Sequence, residues 1–446
     1  MRAASNRRPS PPLEVVIDSI APGGQGVAHA SIAGKNRAIF VRGAAPGDRL
    51  IVAIDPSKSP VRGELREIIT PGPGRVESPC PYVARCGACD WMHLSQGTQE
   101  SEHVAIVRQS LPESWRNEPI VSHLAAPPLH YRTRARLHIR ASGGRAIVGM
   151  NAVQSHSLVE VDTCVVMHPT LERARLAIAA LLGGAHGIGE AQIALGKASD
   201  RAIPAVLELR WDRALPPAVF ARVESAIAAN DPVWAGARIW CGETTKPAQF
   251  GDPTPWITAA DGLPLQTAAG GFAQASEEGN KVLAQRVLAL AMSLAPKKST
   301  RIVELFAGAG NFTIMLASHY ESVNAVESDR AACEAAQRNL EARNLSATVT
   351  CTDASTYVWS PATPLIILDP PRTGARDVVT QMAKKPPRQA IYVSCDPPTL
   401  GRDLAILAAA GYMPRAIECV EMFPQTSHVE TIVALDRRPA KSGGAQ

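Results

Sequence analysis

The chain has 446 residues, of which 46% are hydrophobic and 20% charged, with a formal net charge of +5. This length predicts several domains, and the composition is that of a globular protein rather than a disordered one. No apolar run reaches the length of about 18 residues that a membrane span needs. The amino terminus has no apolar signal core, so we expect a cytoplasmic protein.

The region from residue 13 to residue 70 alternates short apolar runs with turn-forming residues. Its runs predict five strands: Leu13–Ile20, Val27–Ile32, Ala38–Val41, Arg49–Ile54 and Val61–Ile69. Five short strands predict a small barrel of the OB type, which commonly binds single-stranded nucleic acid. Residues 1–74 carry ten Lys and Arg against six Asp and Glu, which also favours a polyanionic partner. A β-domain without any role in RNA binding remains the alternative. We expect residues 1–12 to form a disordered arm and 71–74 a linker.

A cysteine-rich segment follows the linker. Cys80, Cys86 and Cys89 have the spacing Cys-x₅-Cys-x₂-Cys, and Cys164 is the best candidate for a fourth ligand. Nine cysteines in a cytoplasmic chain favour metal binding or catalysis over a disulfide framework. Zinc and an iron–sulfur cluster both fit a four-cysteine site, and the three-plus-one arrangement favours the cluster. The remaining cysteines outside the catalytic candidate are predicted to lie in the core: Cys241, Cys333, Cys351 and Cys419. A helix is predicted near residues 99–111.

Basic residues alternate with mostly apolar ones after Tyr131. They are Arg132, Arg134, Arg136, His138 and Arg140. In a strand this period of two places all five on one face. A face with charges of a single sign favours contacts with phosphates, although an ordinary solvated face is the alternative. Residues 170–262 contain no recognisable motif.

From residue 274 onward, strands and helices alternate, which predicts a parallel sheet with an antiparallel pair at its edge. Gly308 and Gly310 follow the first strand, where their missing side chains let a cofactor approach the backbone. Glu327 ends the second strand, where an acid can bind ribose hydroxyls. Asp353 follows the third strand and is placed to bind an adenine amino group. A dinucleotide dehydrogenase is less favoured, because Thr313 stands where its third glycine is expected.

Two later strands end in residues that suggest covalent chemistry. Asp369-Pro370-Pro371-Arg372 is similar to the motif of amino-group methyltransferases, but Arg372 replaces their aromatic residue. The target atom is therefore not expected to be an exocyclic amine. Cys395 follows the next strand, where a thiolate can add to carbon 6 of a pyrimidine and make carbon 5 nucleophilic. Glu430 is the candidate base for the carbon-5 proton, and His428 is a competing candidate.

Together these residues resemble the bacterial RNA uracil-C5 methyltransferase family, in the ribosomal-RNA type with a TRAM domain and an iron–sulfur cluster. The resemblance covers residues 13–436. It implies that Cys80, Cys86, Cys89 and Cys164 ligate a [4Fe–4S] cluster, that Cys395 is the nucleophile and that Glu430 is the proton acceptor. It also implies a pocket for S-adenosylmethionine and uracil lined by Gln274, Phe306, Asn311, Glu327, Asp353 and Asp369. The family has a Phe-x-Gln-x-Asn run, and this chain departs from it by having Ser276 in place of Asn.

The predicted fold is therefore α/β with three domains: a TRAM barrel (13–70), a central α+β iron–sulfur and RNA-contacting domain (75–270) and a Rossmann-like class I methyltransferase domain (271–438). The helix near 99–111 is expected to pack on the last of these, and 439–446 is expected to be a tail. The predicted activity is methylation of carbon 5 of a uridine, with ribosomal RNA favoured over transfer RNA. Alternatives are a non-catalytic RNA-binding protein and a cytosine-C5 methyltransferase. No membrane association and no obligate protein partner are expected.

Overall fold

The computed structural model describes residues 12–32, 34–200, 202–229 and 233–437, so most of the predicted arm and the whole predicted tail lie outside it. The chain divides into two compact units. One contains the described residues up to Gln109 together with Phe423–His428, and the other contains Ser110–Met422 and the residues from Val429 onward. In the described part of the chain, no helix has the length and apolarity to cross a membrane. The domain boundaries at 75–270 and 271–438 remain predictions.

The first unit contains a six-stranded sheet with the strand order β1-β5-β6-β4-β3-β2. Its elements are β1 (Leu13–Val16), β2 (Ser19–Ile20), β3 (Gly26–Ile32), β4 (Lys35–Val41), β5 (Arg49–Ile54) and β6 (Val61–Thr70). The predicted first strand is split in two, because Ile17 and Asp18 hydrogen-bond Asp48 and Val27 instead of continuing the ladder. The apolar residues on the inner side form one buried cluster that includes Ile39, Leu50 and Val52.

Helix α1 (Gln96–Ser110) completes the first unit, and Phe423–His428 is held beside it. The Gln425 amide donates to Gln99 Oε1 at 2.7 Å, and a His103 ring nitrogen lies 3.1 Å from the Thr426 carbonyl. Ser427 donates to Asp90 from both its amide and its hydroxyl. Hydrogen bonds to α1 and to Asp90 therefore hold the segment Phe423–His428 within the first unit.

The second unit begins with a short 3₁₀ turn and a mixed α/β region. Its elements are β7 (Ile120–Leu124), β8 (Arg134–Ser142), β9 (Arg145–Asn151), β10 (Leu158–Glu160), α2 (Pro169–Leu181), β11 (Gly187–Leu195), β12 (Ala205–Trp211), α3 (Pro217–Ile227), β13 (Trp234–Cys241), β14 (Ala248–Gly251), β15 (Trp256–Thr258) and β16 (Pro264–Gln266). Seven of these strands form one sheet in the order β10-β9-β8-β11-β12-β13-β14. Buried apolar residues of α2 and α3 share one core cluster with this sheet, so one face of it is apolar.

The basic stripe lies on the opposite, polar face of this seven-stranded sheet. In β8, Ala135, Leu137 and Ile139 are buried, whereas Arg136 and Arg140 are exposed, as the period of two predicts. The neighbouring strand β11 supplies polar partners. Glu190 lies 3.3 Å from Arg136 Nε, and Gln192 accepts a hydrogen bond from Arg134 at 2.9 Å. The face is thus of mixed polarity, with a basic excess along β8.

The remaining elements form the second large sheet of this unit. They are α4 (Glu277–Leu294), β17 (Arg301–Leu305), α5 (Asn311–Ala317), β18 (Ser322–Glu327), α6 (Arg330–Glu341), β19 (Thr348–Cys351), β20 (Leu365–Leu368), α7 (Arg376–Lys384), β21 (Gln389–Ser394), α8 (Pro397–Ala409), β22 (Tyr412–Glu421) and β23 (Glu430–Arg437). The strand order is β19-β18-β17-β20-β21-β23-β22-β7. Its central strands are buried on both sides, with all four residues of β20 fully buried, which explains their continuous apolar sequences.

The predicted antiparallel pair is present as β22 and β23, but it does not form the edge of this sheet. Only β23 runs antiparallel, between β21 and β22, and β7 pairs in parallel with β22 as the edge strand. Strand β7 comes from the stretch assigned by sequence to the central domain. A run of five residues can form a strand, but it does not specify which sheet that strand joins.

Candidate active site

A glycine-rich turn connects β17 to α5 at the centre of the sheet. Phe306, Gly308 and Gly310 all have positive φ, at 64°, 56° and 85°. Glycine adopts this conformation without a steric penalty, which accounts for the two glycines, whereas Phe306 carries strain there. The Gly308 amide donates to Glu327 Oε2 at 2.9 Å. The turn is therefore attached to the end of the neighbouring strand β18.

A cavity lies against this turn. Five of the predicted cofactor residues line it: Gln274, Phe306, Gly308, Asn311 and Asp369. Its apolar walls come from residues that the sequence did not single out, including Ile257, Leu265 and Phe312. A mostly apolar cavity with a few polar groups at the carboxyl ends of parallel strands is the usual site for a nucleotide-like ligand.

The other predicted cofactor residues lie outside the cavity wall. Gly310 precedes α5 as its N-cap. Glu327 accepts hydrogen bonds from the amides of Ser328 and Asp329 as well as from Gly308. Asp353 is exposed and bonded to Ser355, whose hydroxyl and amide lower the pKa of this carboxyl. Both acids are preorganised at consecutive strand ends by hydrogen bonds from nearby backbone amides.

Two buried polar residues at this site escaped the sequence reasoning. Asn280 of α4 is fully buried and exchanges two side-chain hydrogen bonds with Asn311, at 2.8 and 2.9 Å. Glu304 lies beneath the turn and accepts a 2.6 Å hydrogen bond from the Thr313 hydroxyl. Asn280 belongs to no motif, and Glu304 begins the glycine-rich run without any role assigned from the sequence. The contacts with Asn311 and Thr313 show how each residue supports the site. Ser276, the departure from the family run, accepts a bond from the Gly279 amide and caps α4.

Burial raises the pKa of Glu304 to about 8, from an ordinary value of 4.5. Between these two pH values, Glu304 is protonated in the folded state and ionised in the unfolded chain. Its contribution to the free energy of unfolding is therefore greatest at low pH and falls as pH rises from about 4.5 through about 8. We expect Glu304→Gln to remove part of this slope and to be more stable than wild type at pH 8, by on the order of a few kcal/mol. Thermal unfolding of the variant and of the wild-type protein, measured across this pH range, tests this prediction. The exposed Glu321→Gln should keep the wild-type slope, and a Glu304→Gln slope equal to wild type would contradict the prediction.

Cys395 and Glu430 are brought together by strand pairing. In the antiparallel pair β21–β23, Ser394 lies opposite Thr431. The next residue of β21 is Cys395, and the residue before Thr431 is Glu430, so both stand at the same end of the pair. Burial and the Glu430 charge raise the pKa of the Cys395 thiol to about 12, while the Arg372 guanidinium acts in the opposite direction.

Asp369 and Arg372 complete this group at the end of β20. Burial and the nearby Asp369 charge raise the pKa of Glu430 to about 8, again opposed by Arg372. Burial raises the pKa of Asp369 to about 7. A thiol, two poorly solvated carboxyls and one guanidinium thus meet beside the cavity, in a setting where a carboxylate can act as a base near neutral pH. The competing base His428 belongs to the first unit.

The cysteines proposed as metal ligands are thiols, since none of the nine forms a disulfide. Cys80 and Cys86 are half-buried and Cys89 is buried, while Cys164 is half-buried in the second unit. Within the described residues, no group of three or more His, Cys, Asp and Glu is gathered closely enough to hold a metal ion. Four thiol donors suit an iron–sulfur cluster or a zinc ion chemically. Cys351, expected in the core, is exposed because it ends an edge strand.

The sheet and its site define a class I methyltransferase, a Rossmann-like fold in which a glycine-rich turn after the first strand faces the methyl donor. Residues 265–390 match the profile of the Methyltransferase small domain family. Residues 356–438 match the tRNA (Uracil-5-)-methyltransferase family. The crystal structure of the Pyrococcus abyssi tRNA (uracil-54, C5)-methyltransferase superposes with a TM-score of 0.73, covering 95% of this chain and 100% of that one, at 20% identity. At this identity the likeness shows the shared fold.

Comparison with curated relatives identifies the family to which this methyltransferase belongs. The 23S rRNA (uracil(1939)-C(5))-methyltransferase RlmD of Halomonas elongata is 31% identical over 443 residues, which cover 95% of this chain and 89% of the relative. The RlmD of Pectobacterium atrosepticum is 30% identical over 436 residues, covering 95% and 93%. The chain belongs to the RNA uracil-C5 methyltransferase family, in its RlmD branch. The resemblance stated from the sequence is thereby confirmed.

Proposed function

We propose that this protein transfers a methyl group from S-adenosylmethionine to carbon 5 of a uridine in 23S ribosomal RNA. The single observation that carries this proposal is the placement of Cys395 and Glu430 at the same end of the β21–β23 pair, beside a cavity that Asp369 lines. The substrate class rests on the RlmD relatives, whose names specify 23S rRNA. A non-catalytic RNA-binding protein would have no need for this arrangement.

The chemistry follows from these side chains. Cys395 Sγ, as a thiolate, forms a bond to carbon 6, and the ring electrons become available at carbon 5. Carbon 5 then attacks the methyl group of the sulfonium donor, which leaves as S-adenosylhomocysteine. Glu430 takes the carbon-5 proton, the C6–S bond breaks, and the thiolate departs. Cytosine would react through the same steps, so the preference for uracil must come from other contacts with the base.

Transfer of labelled methyl groups tests the proposed function. The purified protein is incubated with methyl-labelled S-adenosylmethionine and unmodified 23S rRNA, 16S rRNA or bulk tRNA. Label is expected in 23S rRNA alone, as 5-methyluridine after nuclease digestion. Label in tRNA alone would replace the proposed substrate by the tRNA alternative, and label in 5-methylcytidine would overturn the proposed base. No label in any RNA would overturn the activity.

We propose that the basic stripe of β8 contacts RNA phosphates. Arg140 is exposed on the polar face of the sheet, where it can neutralise a phosphate and release a counterion. Arg140→Gln should lower the slope of log K against log salt concentration by about one unit for RNA binding. Filter binding across a salt series measures this slope. The control is Arg415→Gln, which removes an exposed arginine of β22 that pairs with Asp436 of β23, and it should leave the slope unchanged. An unchanged slope in Arg140→Gln would reject the contact.

We further propose that Cys80, Cys86, Cys89 and Cys164 ligate a [4Fe–4S] cluster. The support is their spacing, their thiol state and the family resemblance, and no catalytic step involves the cluster. Protein purified without oxygen should contain about four iron and about four acid-labile sulfide atoms per chain. Cys89→Ser should lose both, while Cys241→Ser should retain them. Stoichiometric zinc without sulfide would favour a zinc site instead.

We also propose that residues 13–70 form a TRAM barrel that binds RNA. The six short strands around one apolar cluster support this assignment. Ultraviolet crosslinking to 23S rRNA followed by peptide mapping should identify peptides from residues 13–70. Crosslinks confined to other regions of the chain would contradict it.

A further inference from the structure

A buried hydrogen-bond network anchors the loop between β20 and α7. Its centre is Asp403 of α8, whose side chain is fully buried. Asp403 Oδ2 accepts 2.7 Å hydrogen bonds from the Tyr392 hydroxyl and from the Ala375 amide. Asp403 Oδ1 accepts a 2.9 Å hydrogen bond from Arg402 Nε. The carboxylate therefore joins β21 and α8 to the end of the loop.

Arg402 supplies a second attachment for this loop. Its Nη2 donates to the Thr373 carbonyl at 2.9 Å and lies 2.8 Å from Asp403 Oδ1. The next residue of the loop, Gly374, has a φ of +77°, and a Cβ there would clash with Arg402 Nη2 and with Asp403 Oδ2. Glycine thus lets the backbone pack directly against the network. Consecutive residues of the loop are therefore held by the same two side chains.

The Asp403 carboxylate is held by donors that replace its lost hydration. Burial of this group would otherwise be costly, and a guanidinium, a backbone amide and a phenol offset the cost. Burial and the bonded Asp403 carboxylate raise the pKa of Tyr392, so its hydroxyl remains a donor at neutral pH. A shift of the loop would leave a buried oxygen without one of its donors, and the network therefore resists such a shift.

The anchored loop carries Arg372 to the candidate catalytic residues. Arg372 directly precedes Thr373 and is itself exposed. Its guanidinium opposes the rise in the pKa of Cys395 and of Glu430, so it lies close enough to both to act on their charges. This effect weakens as the charges move apart. The position of the loop therefore determines how strongly Arg372 stabilises the Cys395 thiolate.

We infer that Asp403 is a positioning residue for methyl transfer: it holds the loop where the Arg372 guanidinium stabilises the Cys395 thiolate. This inference rests on the proposed function. The thiolate is the form that adds to carbon 6, so a displaced loop should slow formation of the adduct. Asp369, at the start of the loop, is held separately, because its amide donates to the Leu305 carbonyl of β17. Binding of S-adenosylmethionine is therefore expected not to change.

Alkylation of Cys395 in the free protein tests this inference, because iodoacetamide reacts with the thiolate. The rate for each cysteine is followed at pH 8 by mass spectrometry of its peptide. Asp403→Asn should slow alkylation of Cys395 about tenfold, as for a rise of about one unit in the pKa of the thiol. The exposed Cys351 should react at the wild-type rate. A rate for Cys395 at or above that of wild type would overturn the inference.

The Arg372→Gln background separates positioning from a general loss of structure. Arg372→Gln should itself slow alkylation of Cys395 about tenfold, and adding Asp403→Asn should then have no further effect. A further tenfold loss in the double variant would show that Asp403 acts on the fold rather than through Arg372, and the inference would be wrong. The same holds if Arg372→Gln alone leaves the rate unchanged.

Tyr392→Phe is a milder variant, which serves if Asp403→Asn does not fold. It removes one donor to Asp403 and should slow alkylation of Cys395 about threefold. Tyr412→Phe is the matched control, because it removes an equally buried hydroxyl that donates to the Pro387 carbonyl at 2.5 Å. It should leave the rate unchanged, and equal rates in the two variants would overturn the inference. Alkylation requires neither RNA nor methyl donor, so absence of methyl transfer by the wild-type protein would instead refute the proposed function.

Discussion

We expect Cys395→Ala to reduce methyl transfer by about 10⁴-fold or more, to the level without enzyme, while RNA and S-adenosylmethionine still bind. Carbon 5 of uracil becomes nucleophilic when a thiolate adds to carbon 6, and alanine removes the Cys395 thiol that would make this addition. Serine in this position should be nearly as inactive, because its hydroxyl ionises far less readily than a thiol. Single-turnover transfer of labelled methyl groups measures the loss.

The control for this variant is Cys241→Ser, which changes a half-buried thiol on the other sheet of the same unit. It should transfer methyl groups at the wild-type rate. Filter binding and thermal unfolding of Cys395→Ala should match wild type. Full activity of Cys395→Ser would refute the covalent mechanism.

The pKa of Cys395 adds a pH dependence to this prediction. The Cys395 thiol has a pKa of about 12 in the free protein, so it is protonated at neutral pH. At pH values below this pKa, its thiolate fraction rises tenfold for each unit by which the pH increases. The rate of the wild-type reaction should therefore rise from pH 6 to pH 8, and a rate that stays flat over this range would contradict the prediction. Methyl-transfer rates measured at constant ionic strength across this pH range test the prediction.

Glu430→Gln has the second largest expected effect, and it is qualitatively different. The amide cannot accept the carbon-5 proton, so the reaction stops after methyl transfer, when the C6–S bond cannot break. A covalent complex of protein and methylated RNA should accumulate and survive denaturing electrophoresis. It should need both RNA and S-adenosylmethionine, because before methylation the thiolate can still leave.

The double variant Cys395→Ala/Glu430→Gln is the matched control, and it should form no complex. In the wild-type protein, the carboxylate fraction of Glu430 falls tenfold for each pH unit below its pKa of about 8. Lowering the pH should therefore slow release of the product more than it slows binding. If Glu430→Gln turns over without accumulating a complex, another group takes the proton.

The candidate site residues Asp369 and Cys395 could be predicted from the sequence because each directly follows a recognisable strand. Continuous apolar runs predicted β20 and β21, and Asp369 and Cys395 directly follow them. Parallel strands end at the same edge of a sheet, so these residues were expected to meet. In the same way, the alternation in β8 predicted its buried and exposed faces before any pairing was known.

The partners of those residues were decided only by the tertiary structure. Asn280 binds Asn311, and Glu304 accepts from Thr313 beneath the turn, but no spacing along the chain indicates either contact. Strand β7 joins the edge of a sheet whose other strands begin about 180 residues later. Local periodicity determines which face a residue occupies, whereas a hydrogen bond between distant segments depends on the packing of the whole chain, which no local pattern encodes.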